Sequence, residues 1–514
     1  MSWCAIRARA ALLLLCVACC VACSGPAARP RDADALVVLL PRDVQELDPR
    51  FVSDAYGHKL SRLIFASLVG IDPQTLEAEP ELAERIERVS DTEYRVTLRA
   101  GLRFSDGSAL LADDVVATFA SVVDPKLATR YASEYSRLTK VEALDDLTIR
   151  FVLSGPHATF LTDLELPIVR SQDAAHHIAA LSGEPLIGAG PYTLGERSHG
   201  RYELRANPYW LHGKPIFPQL RMLVVRDDNT RALRLLAGAA DLALNAVPAG
   251  LLPLFVGRAG FEVRSAPGIG TTYLGVNTRA GPLRDVRVRR ALAHAIDRQA
   301  LVDAKLGGRA QLARTFVPPG HWAFDPQAAV YEFSPARARQ LLEEAGFPTQ
   351  PRDGVRLRLS LRCGSDRFRY SIARAIAAML ADVGIAIELR PSETATLISE
   401  LDRGQFELTM LQVPEVIEPH VLSWFFGSSY IPGPGHEGAN RWRYSNPVLD
   451  AAFERGRTTM DRAQRREAYA QVQRILASEL PVIPLWHEDV VAVTSARARK
   501  FVAPRDGRFS TLAR

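Results

Sequence analysis

Cysteine is nearly confined to the start of the chain. Of six in all, Cys4, Cys16, Cys19, Cys20 and Cys23 crowd the first 23 residues, and only Cys363 lies beyond them. A chain processed near residue 23 then has no internal disulfide, and Cys363 is expected as a buried, inert thiol. Lysine is scarce too, at six residues, with arginine supplying the rest of the 63 basic side chains. That skew fits a GC-rich genome better than a binding role. The formal charge is only +5, and arginines are interspersed with acids, so nucleic acid is excluded as a partner. Enzyme constellations are missing as well. His436-Glu437 and His487-Glu488 each lack the second histidine of a zinc-protease helix, and neither a G-x-S-x-G elbow nor a phosphate-binding Gly-Lys-Ser/Thr loop occurs. His176 and His177 have no neighbouring cysteine, and Asp173 adds no recognised metal spacing, so they are expected as surface histidines. His294 and Asp297 are expected to pair one turn apart on a helix. Asp113-Asp114 and Asp145-Asp146 suit helix starts and turns. The chain is expected to be no enzyme, with no metal and no cofactor.

The N-terminus carries an address. Arg7 and Arg9 precede an apolar run over 10–22, too short to span a bilayer and suited to a signal-peptide core. Val21-Ala22-Cys23-Ser24-Gly25 resembles a bacterial lipobox, with Cys23 as the lipidated first residue of the mature chain. Cys20 stands where a leucine is usual, which leaves Cys19 or Cys20 open as acceptors. Ordinary cleavage to a soluble secreted chain and an uncleaved anchor are the other readings. Residues 1–22 are thus assigned as a lipoprotein signal peptide and 23–34, rich in Ala, Pro and Arg, as a disordered tether.

At 514 residues the remainder is too long for one simple core. Over 94–119, Tyr94, Val96 and Leu98 alternate with polar residues as in a half-buried strand, and Ser105-Asp106-Gly107-Ser108 supplies a turn. Val115, Val116, Phe119, Val122 and Val123 then share a helical face, with Asp113 and Asp114 in the first turn. Other blocks follow in order. Leu47-Asp48-Pro49 comes after an apolar strand over 35–40, and a helix is predicted over 60–68. Gly188-Ala189-Gly190-Pro191-Tyr192 reads as a structural turn rather than a phosphate loop, and Asn207-Pro208-Tyr209-Trp210 follows it. The spacing predicts one helix over 285–306 with arginines on its outer face. Ser334-Pro335 opens a helix that ends at Gly346. Segments 357–361, 368–383, 385–389, 394–401 and 406–411 alternate strand and helix, which predicts a largely parallel sheet. A helix over 462–479 leads into Pro481-Val482-Ile483-Pro484-Leu485.

Together these blocks, spread over 47–486, resemble the family 5 extracellular solute-binding proteins, the peptide-type receptors of bacterial ABC importers. One departure is Leu111, where the family usually has a threonine helix cap. The resemblance implies an α/β, periplasmic-binding-protein-like fold of class II. It has two lobes with mixed sheets joined by hinge strands, and an extra subdomain in lobe I. Residues 35–270 plus 487–514 are assigned to lobe I, with the inserted subdomain at about 55–185, and 271–486 to lobe II. The implied function is capture of a peptide or peptide-like solute between closing lobes for delivery to a permease and its ATPase. The implied place is the cell envelope, with a lipid-anchored monomer. The same fold serving an oligosaccharide, an opine-like compound or a metal chelate stays open, as does a transport-independent sensor.

The resemblance also directs attention to 412–419. Peptide receptors of this family carry a W-x-G-D-x-x-D-P segment whose first aspartate holds the peptide ammonium. Here Gln412-Val413-Pro414-Glu415-Val416-Ile417-Glu418-Pro419 stands in its place, and Glu415 falls on the ammonium-binding acid. A desolvated carboxylate suits an ammonium because each needs a charged partner. A surface or hinge acid is the other reading of Glu415, and Glu418 is expected to shape the loop. Gln412 and Val413 are implied as ligand contacts, and Tyr56 lies in the segment that offers main-chain hydrogen bonds to an extended peptide. Arg441 suits a carboxylate or a structural ion pair equally. Trp442 and Trp424 line the cleft or fill the core.

Overall fold

The computed structural model describes residues 35–514, apart from 130, 133, 179–182, 199, 351, 353, 414 and 437. Residues 1–34, to which the sequence reading assigns a signal peptide and a tether, and Cys23 with them, therefore lie outside the described residues. Among the described residues the strands form three main sheets, of seven, six and four strands, and a two-stranded ribbon. The strand Ala35–Leu40 is buried along its whole length and sits inside the seven-stranded sheet, parallel to Leu242–Leu244. Unbroken apolar runs belong in such doubly covered positions. Apolar clusters cover both faces, one built on Leu36, Val38 and Leu40, the other on Val37 and Leu39.

The four-stranded sheet is an antiparallel subdomain with a different pattern. Its two central strands, Glu93–Leu98 and Thr148–Leu153, alternate buried and part-exposed residues, since one face only is covered. The helix Ala112–Val123 packs on that covered face through Val115, Phe119 and Val122. Leu111 offers no side-chain acceptor, yet Asp114 reaches back to the Leu111 N–H at 2.9 Å and accepts the Ser171 N–H at 2.7 Å. Half of the usual reciprocal cap is therefore kept.

The first-lobe blocks turn out to interlock. The predicted helix over 60–68 runs instead from Ala55 to Ile64, because Asp54 caps it by accepting the Tyr56 and Gly57 N–H groups. At its end the Gly188-Ala189-Gly190 turn lies directly on the Ile64 carbonyl. A Cβ on Gly188 would lie 2.2 Å from that oxygen, so only glycine fits. Asn207 donates to the Gly190 carbonyl at 2.9 Å, and Ser105 N–H to that of Gly188 at 2.9 Å. Asp48 and Arg50 form a fully buried ion pair at 2.7 Å. Arg50 also donates to Ser121 Oγ and to the carbonyls of Ala174 and His176, fastening the first lobe to the subdomain.

In the six-stranded sheet Leu357–Gly364 runs parallel to both Ile385–Ser392 and Leu408–Val413, as the strand-helix alternation predicts. Thr271–Val276 is antiparallel to Leu408–Val413 and to Val482–Glu488, which makes the sheet mixed. The predicted helix over 285–306 is two helices, Val286–Ala295 and Arg298–Leu306. Ile296 turns extended and Asp297 becomes the cap of the second, accepting the Ala300 N–H at 2.9 Å. Asp297 is therefore no longer one turn from His294, whose Nδ1 meets the Glu332 carbonyl at 2.7 Å instead.

Two crossings join the lobes. Phe261–Ala266 of the seven-stranded sheet continues into Thr271–Val276 of the six-stranded one, and Val482–Glu488 returns to Val490–Ser495 through Asp489 alone. The crossings touch: a Cβ on Gly268 would lie 2.1 Å from the Glu488 carbonyl oxygen. Short, paired connections of this kind suit hinge motion between otherwise rigid lobes.

Candidate ligand-binding cleft

Glu415 follows the strand Leu408–Val413 at the edge of the second lobe, and its carboxylate faces the first. Arg508, from the C-terminal segment packed on the first lobe, donates through Nε to Glu415 Oε2 at 3.0 Å. The same guanidinium binds Glu165 by its other nitrogens. Arg62, on the helix Ala55–Ile64, lies 3.5 Å from Glu165 and 3.8 Å from Glu415. The four side chains thus form a closed ring of alternating charge that spans the two lobes. Burial pushes the Glu415 carboxyl up, but Arg508 and Arg62 outweigh it and hold it below its usual range. For Arg508 burial opposes the charged form, and Glu165, Glu415 and Asp506 overcome it, so its pKa is raised.

Lys59 and Tyr56, one turn apart on the helix Ala55–Ile64, stand beside this ring. The Lys59 ammonium lies 5.2 Å from the centroid of the Tyr56 ring and 5.4 Å from that of Phe509. Burial lowers its pKa to about 8 against the attraction of Glu415 and Asp506. Burial likewise raises the Tyr56 hydroxyl to about 12, with Arg231 and Arg42 opposing. Tyr56 and Glu415, read from the sequence, are brought to one region by the helix Ala55–Ile64, whose Arg62 lies 3.8 Å from Glu415.

The other sequence-derived residues sit as follows. Gln412 is part-exposed and pairs with Thr272 in the ladder, while Val413 is buried and pairs with Thr271. Arg441 donates to Asp402 at 2.7 Å. Trp442 has no exposed surface and stands at 90° to Tyr273, 5.4 Å between centroids. Neither takes part in the ion ring. Trp424 packs on Tyr430 at 4.9 Å. Glu418 shapes its loop, accepting the His420 N–H at 3.3 Å and an Arg465 N–H at 2.7 Å. His176 and His177 pair with Glu184 and Glu46, each at 2.7 Å. Cys363 is fully buried with a raised pKa, burial being the main cause. Arg508, Arg62, Glu165 and Lys59 escaped the sequence reading, since nothing local marks a charge whose partner lies 93 residues away, as Arg508 lies from Glu415.

Two α/β lobes joined by paired crossings, with a charged seam between them, are the architecture of a two-lobed, periplasmic-binding-protein-like fold. The chain belongs to the bacterial extracellular solute-binding proteins, family 5: the family model described as their middle region matches residues 77–431. Protein XP55 of Streptomyces lividans is 31% identical, with 95% of this chain and 91% of that protein covered. Di/tripeptide-binding protein 2 of Pseudomonas aeruginosa is 28% identical, with 85% of each covered. Among solved structures, that of NikA from Brucella suis in complex with Fe(III)-EDTA superposes with a TM-score of 0.84 at 23% identity, covering 93% of this chain and 99% of that one. Among the described residues no helix is long and apolar enough to cross a membrane.

Proposed function

We propose that the chain is the substrate-binding lipoprotein of an ABC importer, which captures a peptide or peptide-like solute between its lobes and delivers it to a permease and ATPase. The observation that carries this reading is Glu415, the residue on the ammonium-binding position, turned toward the opposite lobe. Its two guanidinium partners are unequal: Arg508 is hydrogen-bonded at 3.0 Å, whereas Arg62 at 3.8 Å is beyond hydrogen-bond reach. A solute ammonium takes the place of Arg62 at Oε1, while Arg62 stays beside Glu165 at 3.5 Å. The relative from Pseudomonas aeruginosa, a di/tripeptide-binding protein, supports a peptide. Tyr56 and the main chain at Gln412 and Val413 line the same cleft in this reading. Arg441 and Trp442 hold the wall behind it through Asp402 and Tyr273.

Lipid on Cys23 ties the receptor, a monomer, to the outer face of the cytoplasmic membrane or within the periplasm. The mass of the mature N-terminus checks this. Peptide binding is tested by thermal denaturation with short peptides. Wild type gains stability, and Glu415→Ala loses most of that gain; an undiminished gain in Glu415→Ala removes the ammonium assignment. A non-peptide solute is the second reading, favoured by the solved neighbours that hold metal chelates or agropinic acid.

A further inference from the structure

The ion ring leaves two charged groups over. Arg508 and Arg62 balance Glu415 and Glu165, and Lys59 and Asp506 remain. Among the described residues Lys59 has no hydrogen bond or ion pair; the rings of Tyr56 and Phe509 flank its ammonium instead. Such contacts orient a cation but supply no acceptor. Lys59 keeps part of its surface exposed, so an arriving group can reach it.

Asp506 is the complementary case. It is 8% exposed, and its Oδ1 accepts the Arg508 N–H at 2.9 Å, but its Oδ2 is buried with no hydrogen-bond partner. The nearest guanidinium nitrogen, Arg508 Nε, is 3.6 Å from it and is already committed to Glu415. A buried acceptor without a donor costs free energy that a suitable partner recovers. The two face one place: Lys59 lies against Phe509, three residues beyond Asp506, while Arg508 stands 3.6 Å from Asp506 Oδ2 and 3.0 Å from Glu415, which Arg62 of the Lys59 helix also approaches at 3.8 Å.

We propose that Lys59 and Asp506 are a second solute-reading pair, in which the Lys59 ammonium takes a carboxylate of the solute and Asp506 Oδ2 accepts a neighbouring N–H. The C-terminal residue of a short peptide presents both groups, its carboxylate and its own amide. This rests on the peptide reading above and adds to it: Glu415 selects one end of the solute and Lys59 the other. Tyr56 and Phe509 act as guides that hold the lysine stem in place.

The test is calorimetric titration of the whole protein and of Lys59→Met and Lys59→Arg with trialanine and with its C-terminal amide. Met keeps the apolar stem between the rings and removes only the charge; Arg restores the charge. Wild type is expected to prefer the free acid by about tenfold or more, Lys59→Met to bind the two alike, and Lys59→Arg to recover part of the preference. A preference retained in Lys59→Met, or absent from wild type, overturns the pair. So does tighter binding of the amide by Lys59→Met, which would mean that the lysine occupies the place of a solute ammonium. If wild type binds neither peptide, the peptide reading fails on its own. N-acetylglycine, which carries a carboxylate beside an amide N–H, then decides the pair: stabilisation of wild type but not of Lys59→Met upholds it, and no stabilisation overturns it.

Discussion

His487 lies 2% exposed on the strand that returns to the first lobe, with Nδ1 3.0 Å from the Thr271 hydroxyl. Burial drags its pKa to about 4. An unfolded imidazole titrates near 6.5, so the folded state binds this proton less well. Its contribution to stability is full above pH 6.5 and is lost as pH falls from there through about 4, amounting to about 3 kcal/mol in all. Urea unfolding of wild type should show this slope, and His487→Gln, which cannot titrate, should flatten it. A slope unchanged in the variant assigns the acid sensitivity elsewhere; His420, lowered to about 3 chiefly by burial, is the next candidate. Legibility at this scale was uneven. Glu415 could be singled out because its loop stands in the place of a family block, though with other residues, whereas Arg508 and Asp506 stand in a C-terminal segment with no pattern at all. Their roles exist only once that segment folds back on the helix Ala55–Ile64.

Among the elements, the period-two and period-3.6 patterns located the strand Glu93–Leu98 and the helices Ala112–Val123 and Arg462–Glu479 to within a residue or so. What the patterns missed was a break. The apolar face of 286–306 continues across Ile296 and Asp297, so periodicity alone joins two helices that a single side-chain cap separates. The Leu47-Asp48-Pro49 block was legible as a block but not as a fastener. Asp48 and Arg50 are both fully buried, and Arg50 spends its remaining donors on the subdomain. Asp48→Ala leaves a guanidinium buried without its counter-charge and is expected to cost about 3 kcal/mol or more of unfolding free energy. Equilibrium urea unfolding measures it. A loss below about 1 kcal/mol, the range of exposed pairs, would show that the pair does not hold the subdomain to the first lobe.

For the whole molecule, the lobes meet along a seam of ion pairs in addition to the hinge. Glu415 with Arg508 and Arg62 closes one part of it, and Arg137 with Glu454, 3.6 Å apart, ties the subdomain to the second lobe at another. Such pairs are individually weak where exposed. A solute that adds contacts only when the lobes are together therefore has large influence over the closed population, limited by its differential affinity for that state. Fold and family follow from blocks that contact one another, as Gly188 and Gly190 contact Ile64, Asn207 and Ser105. The solute is read by side chains drawn from both lobes, and no single block records it. The most direct measurement is mass spectrometry of the small molecule released from the protein purified from its own cells. One peptide or peptide-like species per chain is predicted, absent after unfolding and refolding. An oligosaccharide, an opine or a metal chelate released in its place would contradict the account.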